Sequence, residues 1–212
     1  MEHRIRLETE EEYEAPVPGR EKTLVLGIGN ALLGDEGAGV HAVRALSRRV
    51  RDFPGVEFLD GGTLSFTLAP AIERAGRLIV IDAAQLHAPP GSVEVFEGED
   101  MDRFLGRQRR SSVHEVSLTD LLAVARLSGA LPERRTLIGI QPAYLDWADA
   151  PTPAVAQGIA RACEIAIALL KHWPQARRGA GPAARARDAQ DGAQAADCPK
   201  QEGAQTQRRR RG

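Results

Sequence analysis

The chain has 212 residues, 42% of them hydrophobic and 4% aromatic, and a formal net charge of −1. That is enough apolar material for one good core, and the length favours a single domain with tails over two domains. The charge is unevenly placed: Pro174 onward carries nine basic and four acidic residues, a net +5, which leaves −6 on Met1 to Trp173 and makes nucleic acid an unlikely partner.

No apolar run approaches the roughly 20 residues of a membrane span, so no membrane is expected. Residues 1–22 form an acidic arm (Glu8, Glu10, Glu11, Glu12, Glu14) without the basic-then-apolar layout of a secretory signal, which points to a cytoplasmic protein. The two cysteines, Cys163 in a helical pattern and Cys198 in a polar tail, form neither a disulfide framework nor metal-ligand spacing.

After Pro16-Val-Pro-Gly19 the folded part begins with a continuous apolar run, Thr23 to Ile28, as in a strand buried on both faces. It breaks into a loop with Gly27, Gly29, Asn30, Gly34, Asp35 and Glu36 before helical spacing starts. Val40, Val43, Leu46 and Val50 then form one buried helical stripe, with Arg44, Arg48 and Arg49 outward. Val56 to Leu59 reads as a second strand closing on Asp60-Gly-Gly-Thr63, and a short helix reaches to about Ala75. Leu78-Ile-Val-Ile81 is the most apolar run and predicts a central strand ending at Asp82.

His87 to Gly91 is turn chemistry, and Ser92 to Phe96 alternates like a strand with one solvated side. Because no helix separates it from the preceding strand, it is expected to add antiparallel at an edge. Met101 to Arg110 reads as a short helix and a basic loop. Ser112-Val-His-Glu115 matches a capping box, which predicts a helix starting there with Leu118, Leu121, Leu122 and Ala125 buried. Thr136 to Ile140 is the last strand. Thr152-Pro153 starts a final helix to about Trp173, with Val155, Ile159, Cys163, Ile167 and Leu170 inward. The expected fold is a three-layer α/β domain over residues 23–173, with a mostly parallel five-stranded sheet, one antiparallel edge strand and helices on both faces. Residues 174–212 are a tail too poor in large apolar side chains to fold, ending in Arg208-Arg-Arg-Arg211.

In an open α/β sheet, ligands bind outside the carboxyl ends of the strands. Asp35 and Glu36 follow the first strand, Asp60 the second and Asp82 the third, and His114 precedes a helix that packs back on the sheet. Singly, an Asp after a strand is often only a cap, and a lone His is usually surface or satisfied core. Together they form a carboxylate and imidazole cluster of the kind a first-row metal such as nickel or zinc takes. The glycine loop is not a Rossmann fingerprint, since its third glycine is late and two acids stand where a pyrophosphate would go. No Gly-x-Ser-x-Gly elbow, His-Glu-x-x-His or phosphate loop occurs, which leaves an acid acting on water, or a metal-bound water.

Gly27-Ile-Gly-Asn30, Leu33-Gly-Asp-Glu-Gly-Ala-Gly-Val40, Leu59-Asp-Gly-Gly-Thr63 and Val80-Ile-Asp-Ala83 together resemble the maturation endopeptidases of nickel-iron hydrogenases, over roughly Leu24 to Trp173. The resemblance implies an endopeptidase that removes a C-terminal extension from a hydrogenase large-subunit precursor after nickel insertion. By motif, the family's Glu, Asp and His that face the substrate's nickel match Glu36, Asp82 and His114, a set that other divalent metals also suit. In the family this His often follows Pro or Leu and precedes Gln, whereas here it sits in Ser111-Ser-Val-His-Glu-Val-Ser117. The competing readings are a non-catalytic module that binds a nucleotide or partner through the glycine loop, and another hydrolase of the same fold.

Overall fold

The computed structural model describes residues 22–49, 53–107 and 116–173. The acidic arm and the tail lie outside these, apart from Lys22, whose carbonyl accepts hydrogen bonds from the Gly76 and Arg77 amides at 3.1 and 3.2 Å.

β1 (Thr23–Ile28) is buried along its whole length, as a run with apolar side chains on both faces must be. It pairs in parallel with β2 (Val56–Gly62) on one side and with β3 (Arg77–Ala83) on the other. β5 (Arg134–Ile140) joins β3 in parallel, and β4 (Val93–Glu97) pairs antiparallel with β5, giving the order β2-β1-β3-β5-β4. The helix-free step from β3 to β4 thus ends in the antiparallel edge strand that the sequence led us to expect. It is β5, and not β3, that the edge strand pairs with.

Period-two alternation sorts the strand residues onto two faces. Val25, Ile79, Ile81, Ile138 and Ile140 meet α1 (Ala38–Arg49) and α5 (Pro153–His172) in one core. Leu24, Leu26, Leu78, Val80 and Leu137 meet α2 (Ala69–Arg74), α3 (Glu99–Arg107) and α4 (Leu118–Leu127) in the other. Each such side chain contributes roughly 1.5–3 kcal/mol by leaving water, and truncating one to Ala in the middle of the sheet costs about 2–5 kcal/mol. Cys163 is part of the first core, its thiol 3.6 Å from the Ala42 carbonyl oxygen, and burial pushes its pKa up.

Two expectations need amending. Ser112 to Glu115 lie outside the described residues, and α4 starts later than expected: Val116 and Ser117 are non-helical, and Ser117 is the N-cap, in a capping box with Asp120. Both Ser-x-x-acid patterns fit locally. The observed register has Leu118, Leu121, Leu122 and Ala125 buried in the second core. Secondly, α5 is by length and composition a stretch that can cross a membrane. Its buried side, Val155, Ile159, Ala162, Cys163, Ala166 and Leu170, packs in the first core, which makes it a core helix of the domain.

Candidate active site

β1 lies between β2 and β3, and the chain leaves β1 through α1 on one face and leaves β2 through α2 on the other. Such a switch point opens a crevice above the carboxyl ends of the strands. The glycine loop fills its floor with backbone. Gly29 has φ +124°, and a Cβ there would collide with the Glu36 carbonyl; a Cβ on Gly39 would collide with the carbonyls of Ile28 and Ile81. These glycines let the start of α1 press into the crook between β1 and β3. Close backbone packing therefore accounts for these glycines without calling on a nucleotide.

Above this floor is a cavity of about 450 Å³, lined by Glu36 after β1, by Ala83 at the end of β3 and Gln85 beyond it, and by Gln141, Pro142 and Leu145 after β5. Asp82 immediately precedes Ala83. Burial lifts its carboxyl to about 7, the nearby charge of Glu36 adds to the lift, and a hydrogen bond from the Ala83 amide opposes it. Near neutral pH, Asp82 is therefore poised between proton donor and proton acceptor. Glu36 and Asp82 are thus near enough for the charge of one to act on the other.

The other two acids do not join them. Asp35 is fully buried, turned away from the cavity into the segment after β5. Its Oδ2 accepts from the amides of Ala143 and Tyr144 at 2.9 and 3.0 Å and from the Thr152 hydroxyl at 3.1 Å, while Oδ1 accepts from the Thr152 amide at 2.6 Å. Burial pushes the Asp35 pKa up, but these hydrogen bonds outweigh it and hold the carboxyl below its ordinary value. Thr152 is the N-cap residue of α5, yet its hydroxyl makes no cap bond. Asp60 is tied to Arg44, with Oδ2 2.9 Å from Nε, and its Oδ1 accepts from the Gly62 amide at 3.0 Å. Asp35 is thus held by the fold and Asp60 by an exposed ion pair, and neither lines the cavity. His114 lies outside the described residues, and among the described residues no group of three His, Cys, Asp or Glu side chains converges on a metal-sized site.

Sequence reasoning missed Gln141, a buried polar residue at the end of β5. Its Oε1 accepts from the Leu86 amide at 2.7 Å, and its Nε2 donates to Gln85 Oε1 at 2.5 Å and to the Pro142 carbonyl at 3.1 Å. It braces the loop after β3 against the loop after β5 across the cavity floor. The one signal was its place directly after the last strand. His41 was also passed over. Its Nε2 is buried with no hydrogen-bond partner among the described residues, and burial, with help from Arg44, holds its pKa low against the pull of Asp60.

With this geometry in view, the relatives are informative. The family model described as "Hydrogenase maturation protease" matches residues 40–169. The chain is 38% identical over 162 residues to the hydrogenase expression/formation protein HupD of Rhizobium leguminosarum bv. viciae, covering 76% of this chain and 80% of the relative. It is 34% identical over 151 residues to the hydrogenase 2 maturation protease of Escherichia coli, covering 71% of this chain and 91% of that one. In structure it is similar to the E. coli hydrogenase maturating endopeptidase HybD, with a TM-score of 0.63 and 33% identity over 71% of this chain and 92% of that chain. The paired carboxylates above a glycine-packed crevice thus belong to a peptide hydrolase, and the chain is a member of the hydrogenase maturation protease family.

Proposed function

We propose that this protein cleaves the C-terminal extension from the large-subunit precursor of a nickel-iron hydrogenase, and that nickel already held by the precursor is what it recognises. The observation that carries this reading is the Glu36 and Asp82 pair, two carboxylates coupled through their charges at the edge of an open cavity. A cation brought by the substrate relieves the repulsion between them and displaces the Asp82 proton. The two oxygens-bearing side chains then act as a docking point that is satisfied only by a metal-loaded precursor, and His114 is the third ligand by its motif position. Docking fixes the scissile peptide against the rim, so that attack by water proceeds on an oriented bond. Other divalent metals of similar ligand preference can occupy the same pair.

The family membership supports a peptide-hydrolysing role on a hydrogenase subunit, and the carboxylate pair supports the metal. The test is incubation with purified precursor, nickel-loaded and nickel-free, followed by intact-mass measurement. The loaded form should lose its extension and the nickel-free form should not. Equal cleavage of both defeats metal recognition and leaves the pair to act on water directly, whereas cleavage of neither defeats the processing role.

A further inference from the structure

Among the described residues seven large hydrophobic side chains are exposed, and four of them sit on just two loops: Leu32 at 58%, Tyr144 at 49%, Leu145 at 60% and Trp147 at 73%. The two loops are one surface. The Ala148 amide donates to the Leu32 carbonyl at 3.2 Å, the Gly34 amide donates to the Ala148 carbonyl at 3.2 Å, and Leu33 bridges Ala148 in parallel. Leu145 also lines the cavity that holds Glu36, so the apolar strip runs directly into the carboxylate site.

Exposed apolar side chains on a loose loop can fold back on the protein. These cannot readily do so, because the segment that carries three of them is pinned at both ends by one buried carboxylate, Asp35 holding Ala143 and Tyr144 at its start and Thr152 at its end, while Leu32 is tied to that segment through Ala148. Their exposure is built in, and a contiguous apolar patch of this kind is a contact surface. Four such side chains present a few hundred Å² at most, well short of the roughly 800 Å² per partner of a stable protein interface. That size suits an extended peptide segment better than a second copy of this chain.

We propose that Leu32, Tyr144, Leu145 and Trp147 form the subsite for apolar side chains of the substrate polypeptide next to its scissile bond, and so set which precursor is cut. The inference rests on the processing role proposed above, and continuity with the carboxylate cavity is what selects the substrate's own chain as the occupant. A peptide laid from the strip into the cavity brings its backbone past Glu36. The apolar anchors supply binding in the ground state and the transition state alike, so they lower KM without changing kcat.

The experiment measures kcat and KM on metal-loaded precursor for the full chain, for the double variant Leu145→Ser/Trp147→Ser, and for Leu127→Ser, an exposed apolar residue at the end of α4 and on neither loop. We expect the double variant to raise KM by about tenfold or more with kcat within about twofold, the signature of lost uniform binding. Leu127→Ser should match the parent, and all three should melt alike. An unchanged KM in the double variant, with the parent active, overturns the subsite while leaving the processing role intact. A parent that cuts no precursor defeats the processing role and the subsite with it. Light scattering that shows the parent as a dimer and the double variant as a monomer also overturns the proposal, by assigning the strip to self-association.

Discussion

Asp35 and Glu36 share a peptide bond, yet Asp35 is sealed beneath hydrogen bonds from Ala143, Tyr144 and Thr152, whereas Glu36 opens onto the cavity and raises the proton affinity of Asp82. The same chemical group is a rivet at one position and, at the next, a charge that acts across a cavity. What separates them is the supply of donors. Asp35 finds enough N–H and O–H groups to be a stable anion in the interior, while Asp82 is half-buried with one opposing amide and a like charge beside it.

The contrast is sharpest in stability. Replacing Asp35 with Ala strands three amides and a hydroxyl in a half-buried place, and should cost about 2–4 kcal/mol in urea unfolding, with cleavage falling as the loop after β5 comes loose. A variant that unfolds and cleaves like the parent would show that the rivet holds nothing.

Asp82→Asn should do the reverse. The folded-state pKa of about 7 lies above the ordinary 3.8, so the neutral acid favours folding below about pH 4 and that benefit is lost as pH rises through 7. At pH 8 the metal-free variant should therefore be more stable than the parent, by on the order of 2–4 kcal/mol, while cleavage drops at least about 100-fold. Melting curves across pH 4 to 8 decide it: a parent whose stability does not decline over that window lacks the strained carboxyl.

Glu36→Gln should abolish cleavage too, but shift stability by less than about 1 kcal/mol, because the cavity is open to water. It should also lower the titration midpoint of Asp82 by removing the like charge, which NMR of the carboxyl carbons reports. An unmoved midpoint breaks the coupling between the two acids. The smallest effect belongs to Asp60→Asn. Its ion pair with Arg44 is exposed, so the loss should stay within about 1 kcal/mol and leave cleavage of the precursor intact.

Much of this was written locally in the chain. The apolar runs of β1 and β3, the stripes of α1 and α5 and the helix-free step into β4 are set by nearest neighbours, and they appear where the pattern places them. That Glu36 and Asp82 share one rim was readable as well, since one follows β1 and the other ends β3, two neighbouring parallel strands. The fate of Asp35 was not. Its partners lie 108, 109 and 117 residues downstream, and no local pattern reports them. The start of α4 failed for a related reason, because two capping patterns five residues apart are locally equivalent and tertiary packing decides between them. Gln141 carried no motif at all; its bracing role exists only once the loops after β3 and β5 face each other.

The long reach of Asp35 also sets an order of events during synthesis. The glycine loop leaves the ribosome early, but the groups that neutralise its buried carboxylate arrive with Ala143 and Thr152, more than 100 residues later. Closing a loop of that length carries a high entropic cost, which is met only after the parallel ladders of β3 and β5 have brought the ends near each other. Until then Asp35 must stay hydrated and the rim beside it unformed. A nascent chain that has built its first three strands therefore carries every carboxylate of the site and no site, and the peptidase becomes competent only when the segment leading into its last helix clicks into place.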